Sequence, residues 1–140
     1  MRILSVDYGV ARTGIAICDE TEVLATPLYS IPSYNEQKLL SELLTVIKDL
    51  KAELIIVGKP LRTDGKSSEI ALKAERFARI LQEESGVDVQ LYDERFTTVI
   101  ASKKLHANEK STKKQRSLID AAAAAVLLQD FIDKRHCKKY

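Results

Sequence analysis

The sequence predicts an α/β fold built on a mixed five-stranded sheet, with three antiparallel strands followed by two parallel ones and helices on both faces. The first two apolar runs, Ile3–Val6 and Thr13–Cys18, stand so close together that only a hairpin can join them. Leucines at helical spacing follow Pro32, and a continuous apolar run, Leu54–Val57, comes directly afterwards. Because that helix supplies a crossover, we expect the strand after it to lie parallel to the first strand.

The remaining elements of the first half follow from changes in the apolar period. A third strand, from Val23 through Pro27 to Ile31, completes an antiparallel meander. The continuous run at Leu54–Val57 is typical of a strand that is buried on both faces. The helix between these two strands has its apolar stripe at Leu39, Leu40, Leu43, Leu44, Ile47 and Leu50.

The second half of the chain adds three helices and a strand. An amphipathic helix is predicted to end at Gly86, and the alternation over 87–92 predicts a half-covered strand at the edge of the sheet. We expect a short helix over 97–106 and, after a basic loop, an alanine-rich helix from about residue 115 to 134. The small side chains of Ala121–Ala125 would let that last helix pack closely on the sheet. In the amphipathic helix that ends at Gly86, the apolar stripe consists of Ile70, Ala74, Phe77, Ala78 and Leu81.

The composition indicates a single folded domain over residues 1–140. Charged residues make up 30% of the chain and hydrophobic ones 45%, which excludes a disordered or low-complexity protein. Arg2–Val6 is too short for the apolar core of a signal peptide, and no apolar run approaches the roughly 18 residues of a membrane span. Cys18 and Cys137 fit a reducing cytoplasm, and with the two histidines they lack the spacing of a zinc site.

The charge is distributed unevenly along the chain. Residues 1–102 carry 12 Lys and Arg against 16 Asp and Glu, a net charge of −4, whereas residues 103–140 carry 10 against 4, a net charge of +6. An acidic body with a basic end is typical of proteins that bind nucleic acid.

Acidic residues stand at the ends of predicted strands and inside an apolar helix. Asp7 follows the first strand, Asp93 and Glu94 follow the last, and Asp120 lies among apolar residues of the alanine-rich helix. Open α/β sheets bind their ligands at the carboxyl ends of strands. Carboxylates that converge there without His or Cys predict a Mg²⁺ or Mn²⁺ site, which suits phosphoryl transfer.

Each of these acids also has a purely structural interpretation. A strand-end aspartate such as Asp7 or Asp93 often caps a turn. Asp120 could pair with Arg116 one helical turn earlier, an interaction worth only about 0.2–0.5 kcal/mol. Spacing alone therefore leaves the metal site and the structural roles equally open.

Four motifs in order along the chain resemble those of the YqgF family, bacterial Holliday-junction-resolvase-like proteins that are also described as pre-16S ribosomal RNA nucleases. The resemblance covers essentially the whole chain. The motifs are Val6-Asp7-Tyr8-Gly9 with Arg12-Thr13-Gly14, Gly58-Lys59-Pro60-Leu61 with Asp64-Gly65, Asp93-Glu94-Arg95-Phe96-Thr97-Thr98, and Asp120-Ala121-Ala122-Ala123-Ala124 with Leu128-Gln129.

The resemblance implies a ribonuclease H-like fold in which Asp7, Glu94 and Asp120 are the catalytic, metal-binding carboxylates. It implies one or two Mg²⁺ or Mn²⁺ ions and a metal-dependent nuclease that trims the 5′ end of precursor 16S ribosomal RNA during ribosome biogenesis. Two residues depart from the family pattern: Lys59 replaces a more usual apolar residue, and Ser5 replaces a Gly.

Cations near these motifs are candidate nucleic-acid contacts, because phosphate contacts supply affinity without sequence readout. A solvated surface loop is the alternative for the basic segment 103–116. Tyr8 could stack on a base or pack against the turn at Gly9. The candidate contacts are Arg12, Lys59, Arg62, Arg95, Lys110, Lys113, Lys114 and Arg116.

The sequence leaves four functions open. The leading one is an endonuclease acting on structured RNA, and the second keeps the site but acts on branched DNA, as a Holliday-junction resolvase does. The third is a nucleic-acid-binding module with weak catalysis. The fourth is an actin-like ATP-binding fold, which 140 residues are too few to complete. The cysteines predict a cytoplasmic protein, and because the chain lacks a long aromatic or hydrophobic stripe we expect a monomer or weak homodimer.

Overall fold

The computed structural model describes residues 1–59, 69–93 and 113–137, with only the backbone described for Lys113 and Cys137. The short helix predicted over 97–106 lies outside these ranges. The elements are β1 Ile3–Asp7, β2 Arg12–Cys18, β3 Ala25–Pro32, α1 Glu36–Leu50, β4 Leu54–Lys59, α2 Glu69–Ser85, β5 Asp88–Asp93 and α3 Lys113–Cys137.

The five strands form one sheet in the order β3-β2-β1-β4-β5. β2 pairs antiparallel with both β1 and β3, whereas β4 lies parallel to β1 and β5 lies parallel to β4. The predicted succession of three antiparallel and two parallel strands is therefore confirmed. β1 occupies the centre, and its carboxyl end points to the same edge of the sheet as those of β4 and β5.

Two cores cover the two faces of the sheet. Leu4 and Val6 of β1 belong to the core under α1 and α2, whereas Ile3 belongs to the core under α3. This alternation is the period of two that a strand covered on both faces requires. β4 is buried along almost its whole length, as its continuous apolar run predicts.

Capping residues mark both ends of α1. The side chain of Asn35 accepts a hydrogen bond from the Lys38 N–H at 3.1 Å, which satisfies one of the free N–H groups of the first turn. Lys51 ends the helix in a left-handed conformation with φ 55°. The predicted apolar stripe is confirmed, and the buried residues of the helix are Leu39, Leu43, Val46 and Ile47.

β3 starts later than the sequence predicts. Val23 and Leu24 are 68% and 65% exposed, and the strand begins only at Ala25. A tight turn precedes it, because the Asp19 carbonyl accepts from the Glu22 N–H at 3.1 Å and Glu22 has a positive φ of 55°. The prediction that the strand begins at Val23 is wrong, because Val23 and Leu24 are apolar but belong to the connection that precedes the strand.

α3 packs its alanine-rich face directly on the sheet. Ala121, Ala123 and Ala124 are fully buried, and the helix extends to 113 and 137, beyond the predicted 115–134. Ser5 of β1 donates its hydroxyl hydrogen bond to the Ala124 carbonyl at 2.9 Å, so this departure from the family pattern is accommodated under α3. Within the described part of the chain, no helix combines the length and apolar character needed to cross a membrane.

β5 lies at the edge of the sheet, as predicted. The Tyr92 ring packs edge-on against Phe131 of α3, with ring centroids 5.7 Å apart, and its hydroxyl donates to Asp130. Leu91, on the opposite side of the strand, is 44% exposed. The long last helix reaches the edge of the sheet, so α3 covers the Tyr92 side chain.

Glu22 ties the amino terminus to the end of α3. Its carboxylate lies 3.2 Å from the terminal ammonium of Met1 and 2.9 Å from Nε of Arg135. Burial by itself raises the pKa of Glu22, but the hydrogen bond from the ammonium and the charge of Arg135 outweigh it, so the pKa lies below its ordinary value.

We expect Glu22→Gln to lower the free energy of unfolding at pH 7 by about 1–2 kcal/mol, the scale of a hydrogen bond to a charged group. A carboxylate with a lowered pKa stabilises the fold above its unfolded pKa, near 4.5, and that contribution is lost as the pH falls through the lower folded value. Urea unfolding of both proteins from pH 7 to pH 3 measures the difference, which we expect to shrink below about pH 4.5.

Glu20→Gln is the matched control. The Glu20 side chain is 76% exposed and 3.8 Å from Arg2, so we expect a change within about 0.5 kcal/mol at every pH. A loss equal to that of Glu22→Gln, or a Glu22→Gln effect independent of pH, would contradict the prediction.

Candidate active site

Asp7 is buried at the carboxyl end of the central strand. It is the last residue of β1, and only 1% of it is exposed. Ile3 and Ser5 face α3, so the alternation of the strand places Asp7 on the α3 side of the sheet as well. The buried carboxylate of Asp7 occupies the position at which open α/β sheets bind ligands.

Asp120, on α3, lies at the same end of the sheet. It is 7% exposed, and its backbone lies directly on Gly14 of β2, so that a Cβ built on Gly14 would overlap the Asp120 carbonyl group. Gly14 is also the residue opposite Asp7 in the β1–β2 ladder. Asp7 and Asp120 therefore both lie next to Gly14, a glycine that leaves room for the helix.

Arg12 is the ionic partner of Asp120. It is the first residue of β2, and its Nε lies 2.5 Å from Oδ2 of Asp120. The predicted alternative, a pair between Asp120 and Arg116, is wrong, since the helix turns Asp120 toward the sheet and brings it to Arg12. Because these residues are 108 positions apart, no local spacing could have indicated the contact.

The donor chemistry of the acidic pair fits a hard divalent cation. Asp7 and Asp120 offer only carboxylate oxygens, which Mg²⁺ and Mn²⁺ prefer. Over residues 1–59, 69–93 and 113–137, no group of three His, Cys, Asp or Glu side chains is placed to hold a metal ion. The third predicted ligand, Glu94, directly follows the end of β5 and lies outside the described residues.

The predicted phosphate contacts separate into distinct groups. Lys114 is exposed and Arg116 is half-buried, both in the first turns of α3 and on the amino-terminal side of Asp120. Lys59 instead pairs with Glu75 of α2, on the other face of the sheet, so its charge is already balanced. Arg62, Arg95, Lys110 and the side chain of Lys113 lie outside the described part of the structure.

Tyr8 packs into the core under α2. It is 8% exposed, and its ring centroid lies 5.2 Å from that of Phe77. Burial, reinforced by the nearby carboxylate of Glu36, raises the pKa of Tyr8, so the phenol stays neutral at physiological pH. Of the two predicted roles for Tyr8, base stacking and packing, the structure supports packing.

The sheet order β3-β2-β1-β4-β5, with a buried acid at the end of its central strand, is that of a ribonuclease H-like fold. The fold matches a Thermus thermophilus RuvC in complex with a Holliday junction substrate, with a TM-score of 0.60, 17% identity, and coverage of 98% of this chain and 96% of that one. It also matches a Fowlpox virus resolvase in complex with Holliday junction DNA, with a TM-score of 0.61, 16% identity, and coverage of 96% and 99%.

The chain belongs to the RuvX family, described as Holliday junction resolvases, whose model matches residues 1–134. A relative from Rhodopirellula baltica is 38% identical over 132 residues, which cover 94% of this chain and 76% of the relative. A relative from Anaeromyxobacter sp. strain K is 38% identical over 135 residues, covering 96% and 98%. Both carry the curated name "Putative pre-16S rRNA nuclease". The resemblance seen in the four motifs is thereby confirmed, and the chain is a member of a nuclease family.

Proposed function

We propose that this protein is a metal-dependent endonuclease that hydrolyses phosphodiester bonds in structured RNA and processes the 5′ end of precursor 16S ribosomal RNA in the cytoplasm. The observation that carries the proposal is the burial of Asp7 and Asp120 on either side of Gly14, at the carboxyl end of the central strand. The names of the 38% identical relatives support the choice of RNA as substrate.

Asp7, Asp120 and Glu94 would hold one or two Mg²⁺ or Mn²⁺ ions. Such ions, when bound, stabilise the charge that develops on the attacking and leaving oxygens of a phosphodiester and favour deprotonation of water. Asp7 brings a carboxylate that the sheet shields from solvent, and the packing of α3 holds Asp120 beside it. Arg12, with 34% of its side chain exposed, balances the charge of Asp120 through their ion pair.

The amino-terminal end of α3 is suited to hold the phosphate backbone. Its first turn contains no acidic residue, although cations are disfavoured at this end of a helix by the macrodipole. Lys114 and Arg116 therefore cost helix stability where they stand, and they add positive charge to an end that already attracts anions. This arrangement favours a polyanionic substrate that lies along α3 toward Asp120.

Branched DNA is the second candidate substrate. It is favoured by the description of the RuvX family as Holliday junction resolvases. Two structural neighbours are in complex with Holliday junctions, but they are less than 20% identical to this chain, so they bear on the fold and not on the substrate.

The proposal is tested with purified full-length protein, a precursor 16S ribosomal RNA fragment and a four-way DNA junction, each with Mg²⁺ or Mn²⁺. We expect site-specific cleavage of the RNA by the wild type and none by Asp7→Asn. Asp19→Asn, which changes an exposed turn, serves as the matched control and should cleave normally. Equal cleavage by wild type and Asp7→Asn, or none by either, would contradict the proposal, and symmetric paired nicks on the junction would favour DNA.

Arg12 competes with a divalent cation for Asp120, since its Nε already occupies Oδ2. We therefore expect Arg12→Ala to bind Mn²⁺ about tenfold more tightly than the wild type. The variant loses one repulsion between the guanidinium and the ion, and a repulsion of roughly 1.4 kcal/mol corresponds to a tenfold change in Kd. Without metal, the same variant should be less stable, because Asp120 is left buried without its counter-charge.

Isothermal titration of Mn²⁺ and thermal unfolding with and without the ion measure these two effects. Arg2→Ala, which removes an arginine next to the opposite end of β1, should leave Mn²⁺ affinity unchanged. Weaker Mn²⁺ binding by Arg12→Ala would show that Arg12 positions Asp120 for the ion rather than competing with it.

A further inference from the structure

A cleft of about 260 Å³ opens beside the end of β1, on the face of the sheet opposite Asp7. Its floor is Tyr8, whose ring lies on Phe77 of α2. Asp7 and Tyr8 are consecutive, so the cleft and the acidic pair lie on the two sides of one strand end. The residues that matter for its chemistry are Val10, Tyr34, Glu36, Lys73 and Arg76.

Two apolar side chains stand exposed at the rim of this cleft. Tyr34 is 84% exposed and Val10 is 68% exposed. The backbone on both sides of Tyr34 is anchored, because the Ser33 N–H donates to the Ala11 carbonyl at 2.9 Å and Asn35 caps α1. The Tyr34 ring is therefore presented to solvent from a fixed position, whereas Tyr8 is already covered by Phe77.

The opposite wall carries positive charge. Nη2 of Arg76 lies 2.8 Å from Oε2 of Glu36, which fixes the guanidinium at the rim while 58% of the Arg76 side chain stays exposed. Lys73 lies one helical turn before Arg76 and has no acidic partner within the described ranges. Glu36 balances one of these two cations, so the wall keeps a net charge of +1 from these three residues.

An exposed aromatic ring that lines one cleft together with cations is the arrangement that binds single-stranded nucleic acid, in which bases stack on the ring and phosphates contact the cations. We propose that this cleft binds one unpaired nucleotide of the substrate, with its base on Tyr34 and its phosphate between Lys73 and Arg76. The inference rests on the proposed nuclease function and deepens it, since a strand that crosses the end of β1 from Asp7 reaches the cleft directly.

The test measures binding to fluorescein-labelled RNA of about 12 nucleotides by fluorescence anisotropy, with EDTA to remove divalent ions, in single-stranded and duplex forms. Tyr34→Ala should weaken single-strand binding about tenfold and leave duplex binding within about twofold. Tyr34→Phe should bind like the wild type, because it keeps the stacking surface. Tyr29→Ala, which removes a tyrosine that is 42% exposed on β3, is the matched control and should also bind normally.

The outcomes separate this inference from the proposed function. If Tyr34→Ala binds single-stranded RNA like the wild type while Lys114→Ala and Arg116→Ala weaken it, the cleft is not a nucleotide site and the nuclease proposal stands. Equal losses on single-stranded and duplex RNA, or a loss in Tyr34→Phe as large as in Tyr34→Ala, would also overturn the cleft inference. If the wild type binds no single-stranded RNA, the cleft inference falls, whereas the nuclease proposal is decided by the cleavage assay with Mg²⁺ or Mn²⁺.

Discussion

Replacing Asp120 by asparagine is expected to lower the rate of phosphodiester cleavage by about 10³-fold, within the range seen when a group that stabilises transition-state charge is removed. The change removes one negative charge from a residue that is 7% exposed and leaves its shape nearly unchanged. Arg12 can still donate to the amide oxygen of the new side chain, so we expect the fold to persist. Single-turnover cleavage and titration of Mn²⁺ measure the effect.

Asp133→Asn is the matched control for this prediction, because it makes the same chemical change on the same helix. Asp133 is exposed and contacts Gln129, and it lies more than three helical turns after Asp120. We expect its cleavage rate and Mn²⁺ affinity to equal those of the wild type. If Asp120→Asn retains wild-type Mn²⁺ affinity, Asp120 is not a ligand and the metal site must be sought elsewhere.

Gly14→Ala is expected to destabilise the protein by about 3 kcal/mol and to lower Tm by roughly 10 °C. The new Cβ would overlap both the carbonyl oxygen and the carbonyl carbon of Asp120, well inside the 3.0 Å below which real Cβ contacts are essentially never found. These are backbone atoms of a long helix, so no side chain can rotate to relieve the overlap. α3 must move away from β2, and Asp120 must move away from Asp7.

Gly86→Ala separates this effect from the general cost of replacing a glycine. Gly86 has a φ of 71° and open space around it, so alanine there strains the backbone by about 1 kcal/mol without displacing α3. We expect Gly86→Ala to lose stability and keep its Mn²⁺ affinity, and Gly14→Ala to lose both. Calorimetry and Mn²⁺ titration test this, and full Mn²⁺ affinity in Gly14→Ala would contradict the role of the contact.

The sequence by itself determined the order of the strands and helices, because burial on both sheet faces imposes local patterns. The apolar runs at Leu4 and Ile55, the helical leucines of α1 and the alanines of α3 each report which face of their own element is covered. It also placed Asp7 directly after the first strand and Asp120 among the apolar residues of the alanine-rich helix. These conclusions need only the period of each element and the identity of its neighbours.

Local patterns failed where a residue's environment comes from elsewhere in the chain. Val23 and Leu24 are apolar, but the turn at Glu22 and the start of pairing at Ala25 leave them outside β3. In β5, Tyr92 alternates with the apolar residues Val89 and Leu91, but the length of α3 brings Phe131 over the Tyr92 ring. Apolar character reports what a side chain prefers, and only the assembled sheet decides what covers it.

The geometry of the site was decided by the tertiary structure. The pairing of Arg12 with Asp120, the close approach of α3 to Gly14 and the balancing of Lys59 by Glu75 each join different elements of the fold. Ion pairs and steric contacts act over a few ångströms, so they depend on which residues the fold brings together. The acids could be named from the sequence, but the counter-charge of Asp120 and the glycine that lies next to both acids could not.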